Sequence, residues 1–109
     1  MLKMVFLVHR RHGMDIDSFR EYWRETHAPI AANLPELRRY VQNHAVSGEG
    51  DGLPAFDGFA EMWWDDADAM QRSLASPEGQ AALNDTANFL DPDRMVTFSV
   101  EQAEIVWSS

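Results

Sequence analysis

The sequence predicts an α+β fold: a ferredoxin-like βαββαβ protomer with a four-stranded antiparallel sheet and both helices on one face. Two observations set the elements. Short β-branched and aromatic runs alternate with apolar stripes of helical period, and cap-forming residues stand ahead of each stripe. A third observation sets the assembly, because the alternating strands leave aromatic side chains on a sheet face that no helix covers. The 109 residues suit one domain spanning 1–109, with no repeat, low-complexity tract or linker.

Met4 to His9 reads as a buried strand, ended by Arg10-Arg11-His12-Gly13. Asp15, Asp17 and Ser18 are N-cap candidates, and Ser18 with Glu21 fits a capping box. Phe19, Trp23 and Ile30 then fall on one helical side, with Tyr22 beside them. His27 lies roughly 40° from Trp23 at about 100° per residue, on the flank of that stripe. Pro29 lacks an N–H and disfavours a helical Ala28, so the helix is expected to kink or end within a turn of His27.

Leu37 to Val46 reads as the second strand and Ser47 to Asp57 as an exposed turn rich in glycine and acid. Gly58 to Trp64 is the third strand, with Ala60, Met62 and Trp64 on one side and Phe59, Glu61 and Trp63 on the other. Asp65 or Asp66 caps a helix carrying Ala67, Met70 and Leu74, and Ser76-Pro77-Glu78 restarts it. Leu83, Ala87 and Leu90 continue an apolar face to Asp91. Met95 to Val100 is the last strand, followed by an extended tail through Trp107. The sheet face away from the helices is expected to present Tyr40, Gln42, His44, Phe59, Glu61 and Trp63, so two copies packing sheet to sheet would bury it.

A formal charge of −9 argues against nucleic acid and against an anionic membrane surface. The absence of cysteine removes disulfides and thiolate chemistry and suits a reducing compartment. The apolar run from Met4 to Val8 is too short for a signal-peptide core or a membrane span, which makes the cytoplasm the expected location.

The motifs Phe19-x-x-Tyr22-Trp23-x-x-x-His27-Ala28-Pro29, Leu34-Pro35-x-Leu37-Arg38-x-Tyr40-x-x-Asn43-His44 and Asp57-Gly58-x-Ala60-Glu61-Met62-Trp63-Trp64-Asp65 resemble the EthD family. The resemblance covers nearly the whole chain. It implies a ferredoxin-like protomer that dimerises through its sheets into an α+β barrel. It further implies small bacterial proteins, some tied genetically to degradation of ethers and other xenobiotics. Related domains include dehydratases, muconolactone isomerases, cofactor-independent monooxygenases and haem-binding enzymes. The family fixes the fold more closely than the reaction.

His27 leads the candidate catalytic residues, since an imidazole moves a proton either way near neutral pH and relatives hold the equivalent histidine in a pocket. The competing role is a histidine interacting with helix C-terminal carbonyls. Tyr40 either donates to a ligand oxygen or fills the barrel with its hydroxyl paired. His44 stands on the same strand face near a turn, where a solvated histidine is common, and Gln42 lies between the two. Glu61 is either a desolvated acid/base or a structural carboxylate that pairs with Arg38 or Arg39 or bonds across the dimer. Phe59 and Trp63 either wall an aromatic ligand or form interface core. His9 and His12 belong at the rim. No ligand spacing supports a metal site, no glycine-rich loop precedes a helix, and no serine stands in a triad order.

These residues favour a cofactor-free enzyme acting on a small apolar or aromatic oxygenated compound by isomerisation, dehydration or lactone chemistry. A cofactor-independent monooxygenase and a non-catalytic ligand carrier are the alternatives. Haem binding is disfavoured, because the acidic balance offers little to propionates.

Overall fold

A computed structural model describes residues 1–46, 53–101 and 103–109. Its elements follow the order β1 (Leu2–Val8), α1 (Ile16–Glu21), a π-helical stretch (Tyr22–His27), α2 (Ala28–Ala31), β2 (Arg39–His44), β3 (Gly58–Trp64), α3 (Ala67–Ala75), α4 (Pro77–Asp85) and β4 (Val96–Val100). Short 3₁₀ turns at Thr86–Asn88 and Pro92–Arg94 lead from α4 to β4. The strands lie in the order β2-β3-β1-β4 and all pair antiparallel. That order is the ferredoxin-like arrangement expected from the sequence.

Local chemistry explains where the helices start. Asp15 caps α1 by accepting from the Ser18 N–H, so the expected pairing of Ser18 with Glu21 gives way to a cap three residues earlier. Asp66 caps α3 through the Ala69 N–H, and Ser76 caps α4 through the Gly79 N–H, with Pro77 at the first turn. The first helix does not end at Pro29. It widens instead: the Ala28 N–H bonds the carbonyl of Trp23, five residues back, and helical structure continues to Ala31. A π-turn ahead of a proline tolerates the missing donor, and such turns are often found at functional sites.

Phe19, Trp64 and Phe89 have no measurable exposure, and Trp23 and Val8 are nearly as deep. Each such side chain contributes about 2 kcal/mol on burial. Two adjoining clusters form the core between helices and sheet, one around Phe19, Trp23 and Phe89, the other around Met62, Trp64 and Ala31. Gly58 permits a close approach, since a Cβ there would collide with the Asn43 carbonyl and stand 2.8 Å from Trp23 Cζ3.

Strand register corrects the expected division of faces. Tyr40 pairs with Met62, Gln42 with Ala60 and His44 with Gly58, so these three side chains face the helices. Phe59, Glu61 and Trp63 occupy the opposite face, beside Lys3, Val5 and Leu7 of β1 and Val41 and Asn43 of β2. β4 adds Val96, Phe98 and Val100 to that outer face.

The helix α4 also turns differently from the expectation. Leu83 and Ala87 are exposed, whereas Gly79 and Phe89 are buried, so the packed stripe runs through Gly79, Ala82, Thr86 and Phe89. Of the expected exposed turn, Ser47 to Gly52 lie outside the described residues. Asp57 at its end is buried, where its carboxylate accepts from the Arg10 backbone N–H and guanidinium, both at 2.7 Å. Among the described residues no helix is long and apolar enough to cross a membrane.

Candidate functional site

The site lies inside the protomer, between the helices and the inner sheet face. His27 and Trp23 reach it from the π-helical stretch, Tyr40 from β2, Ala60 and Met62 from β3, and Phe89 from the segment after α4. The space they line is about 100 Å³, partly open to solvent and walled almost wholly by apolar atoms. Apolar cavities of about 150 Å³ take a benzene ring, so this one suits a ligand of about one small ring.

His27 is buried, with its ring against Phe89 at 4.6 Å between centroids. Its Nδ1 lies 2.7 Å from Asp85 Oδ2. The other oxygen of Asp85 accepts from the Tyr22 hydroxyl at 2.6 Å and from the Asn88 amide at 3.0 Å. Burial alone would raise the Asp85 pKa, but the hydrogen bonds from Tyr22, His27 and Asn88 outweigh it and hold the carboxyl below its ordinary range. The carboxylate is therefore ionised and can only accept, which makes Nδ1 of His27 the protonated nitrogen. Burial pushes the His27 pKa down, with the Asp85 hydrogen bond and charge opposing it less strongly. Burial thus favours the neutral imidazole, in which Nε2 carries the lone pair, and His27 is among the residues that line the cavity.

Tyr40 lines the same cavity. Its phenol oxygen accepts from Gln42 Nε2 at 2.8 Å. Burial raises its pKa, against the lowering effect of hydrogen bonds from Gln42 and Trp23. The arrangement thus sets an imidazole base and a neutral phenol on one small apolar space, which is enough for proton transfer beside an oxygen function.

The structure brings His27 and Tyr40 together and places Gln42 behind Tyr40. His44 sits further along β2, with its ring 4.5 Å from Trp23, outside the cavity lining. Phe59, Glu61 and Trp63 are separated from the cavity by the sheet. Glu61 pairs with Lys3 at 3.1 Å and Asn43 at 3.0 Å instead of Arg38 or Arg39. Its burial would raise the carboxyl pKa, but these partners hold it down, which leaves a structural carboxylate rather than a desolvated base. Arg38 bonds Asp65, and Arg39 lies over the Trp63 ring. His9 is half-buried against Phe56, and His12 is exposed. Among the described residues no three metal-ligating side chains converge.

Asp85 is the residue that sequence reasoning missed. Its signal was a carboxylate on a helical stripe otherwise small or apolar, three residues after Ala82 and four before Phe89.

Residues 11–93 match the EthD domain family. The chain is 28% identical over 91 residues to an uncharacterized 11.0 kDa protein of the thcB–thcC intergenic region in Rhodococcus erythropolis, covering 84% of this chain and 87% of that protein. A crystal structure of an ethyl tert-butyl ether D (EthD) family protein from Bacillus halodurans superposes with a TM-score of 0.80 at 26% identity, covering 94% and 99% of the two chains. A dimeric ferredoxin-like protein from Thermobifida fusca superposes with a TM-score of 0.67 at 20% identity, covering 91% and 88%.

Proposed function

The chain belongs to the EthD family, and we propose that it binds a small, mostly apolar compound carrying an oxygen function, on which His27 moves a proton. The observation that carries this reading is the His27–Asp85 pair at 2.7 Å on the wall of an apolar cavity. An aspartate that fixes the imidazole tautomer leaves Nε2 free to act as base, then as acid once protonated. Tyr40 holds the ligand oxygen. For a ketone, Nε2 takes a proton from the carbon beside the carbonyl as Tyr40 donates to the carbonyl oxygen. Return of both protons completes an isomerisation or an exchange, with no oxidant or cofactor needed. The name of the Bacillus halodurans relative refers to an ether, a compound with an apolar body and an acceptor oxygen, which accords with this ligand class.

The working unit is a homodimer formed through the outer sheet faces. Phe59, Val96 and Phe98 are 38%, 45% and 48% exposed on that face, an apolar area unusual for a lone protomer. The Thermobifida fusca neighbour is described as dimeric, which supports the same assembly here.

Deuterium exchange into cyclopentanone, followed by NMR in heavy water, tests the chemistry without knowledge of the natural substrate. The protein is expected to accelerate exchange beside the carbonyl, and His27→Gln to lose that acceleration by about 100-fold. A folded wild-type protein that binds the ketone without accelerating exchange would contradict the proton-transfer reading and leave a carrier.

A further inference from the structure

The amide of Gln42 joins three groups behind the cavity. Its Nε2 donates to the Trp23 carbonyl at 2.9 Å and to the Tyr40 oxygen at 2.8 Å, and its Oε1 lies 3.1 Å from His44 Nε2. A backbone carbonyl only accepts, so Trp23 fixes which end of the amide is nitrogen. The π-turn matters here, since this same carbonyl also takes the Ala28 N–H from the widened helix.

With the amide direction set, two protons are set as well. The second amide N–H is directed at Tyr40, so the phenol oxygen is the acceptor in that bond. The amide oxygen accepts from His44, so His44 carries its proton on Nε2 and leaves Nδ1 bare. Two further observations agree. His44 Nδ1 is buried and has no hydrogen-bond partner among the described residues. Burial, followed by the charges of Arg24 and Arg20, lowers the His44 pKa and keeps it neutral.

We infer that Gln42 is a positioning residue, holding the Tyr40 oxygen as an acceptor so that the phenol proton is presented to an acceptor atom of the bound ligand. The inference rests on the ligand reading above and deepens it. The two polar groups of the cavity have opposite polarity: Tyr40 gives a hydrogen bond, and the bare Nε2 of His27 receives one. The ligand class is therefore a small ring or branched chain with a ketone, ester, lactone or ether oxygen at the Tyr40 end. An ammonium or other pure donor at that end is rejected.

The test pairs cyclopentanone with methylenecyclopentane, which has the same skeleton and no acceptor oxygen, and measures both affinities calorimetrically. The ratio of ketone to alkene affinity is expected to be about tenfold higher in wild type than in Tyr40→Phe, the value of one net hydrogen bond. Gln42→Glu replaces the amide donor with an oxygen that takes the phenol proton for itself, so the ratio should also fall to the Tyr40→Phe value while the alkene affinity holds. A ratio lowered in Tyr40→Phe yet intact in Gln42→Glu would overturn the role of Gln42 alone. An equal ratio in wild type and Tyr40→Phe would instead overturn the ligand reading.

A second measurement needs no ligand. The chain has two tyrosines, so Tyr22→Phe leaves Tyr40 as the single reporter in an ultraviolet titration. Adding Gln42→Met removes a donor to the phenol oxygen and should move the midpoint up by about 1 pH unit. An unchanged or lowered midpoint would overturn the inference.

Discussion

Nδ1 of His27 and Oδ2 of Asp85 stand 2.7 Å apart although 58 positions separate them in the chain. The contact joins the end of the π-helical stretch to the last residue of α4, so it reports the packing of the two helical segments against each other as well as the state of the site. Tyr22 and Asn88 occupy the other carboxylate oxygen, which holds the carboxylate in the orientation His27 requires.

Asp85→Asn should therefore damage proton transfer more than binding. The amide no longer demands a proton on Nδ1, and the imidazole is free to take either tautomer. Exchange into cyclopentanone should fall by about tenfold or more, while affinity for methylenecyclopentane, which reads the apolar walls, should stay near wild type. Comparison of exchange rate with calorimetric affinity checks this.

Burial lowers the His27 pKa from 6.5, so the unfolded chain binds a proton at a pH where the folded chain does not. Stability from this group is complete above 6.5 and is lost as the pH falls through the lower folded value. His44, lowered by burial and by Arg24 and Arg20, adds a loss of the same sign in the same window. Asp85, lowered from 3.8, withdraws its contribution only at more acid pH. Thermal unfolding should show Tm falling from pH 7 to pH 5 in wild type (a window of roughly two units around the ordinary histidine value), and falling less steeply in His27→Gln.

Gly58→Ala should be costly for a reason visible only in three dimensions. The added methyl would meet the Asn43 carbonyl and Trp23 Cζ3, moving the indole that packs between helix and sheet. Overpacking of this kind costs about 1–3 kcal/mol. Denaturant unfolding should show the loss, with a change in tryptophan emission of the native state.

Phe98→Glu places a charge on the edge strand of the outer face, opposite Val5 of β1 and on the side of the sheet away from the cavity. Wild type should sediment as a dimer and the variant as a folded monomer. A wild-type monomer in sedimentation would remove the dimer from the account.

The fold was legible because each element carried its own signal. The caps at Asp66 and Ser76, the proline at 77 and the alternation from Gly58 to Trp64 are local, and the structure uses each of them. The faces of β2 were not legible. Alternation says that Tyr40, Gln42 and His44 lie together, but only pairing with β3 says which side they share, and a slip of one residue reverses the answer. The continuation of the helix past Pro29 escaped for a related reason, because an i→i+5 turn leaves no mark in residue propensity. At the site, His27 drew notice on the flank of an apolar helical stripe, and Tyr40 on a strand face shared with Gln42 and His44. Asp85 did not, since it sits in an Asn-Asp-Thr run that reads as a helix end, and its partner comes from the other helical segment, 58 residues away.

In the proposed function His27 waits at neutral pH as a neutral base, with its proton on Nδ1 and its lone pair on Nε2. Nitrogen-15 NMR of the labelled imidazoles across a pH titration reads both the tautomer and the midpoint. A protonated Nδ1, a bare Nε2 and a midpoint below 6.5 are expected. A proton on Nε2 at neutral pH, or a midpoint at or above 6.5, would contradict it.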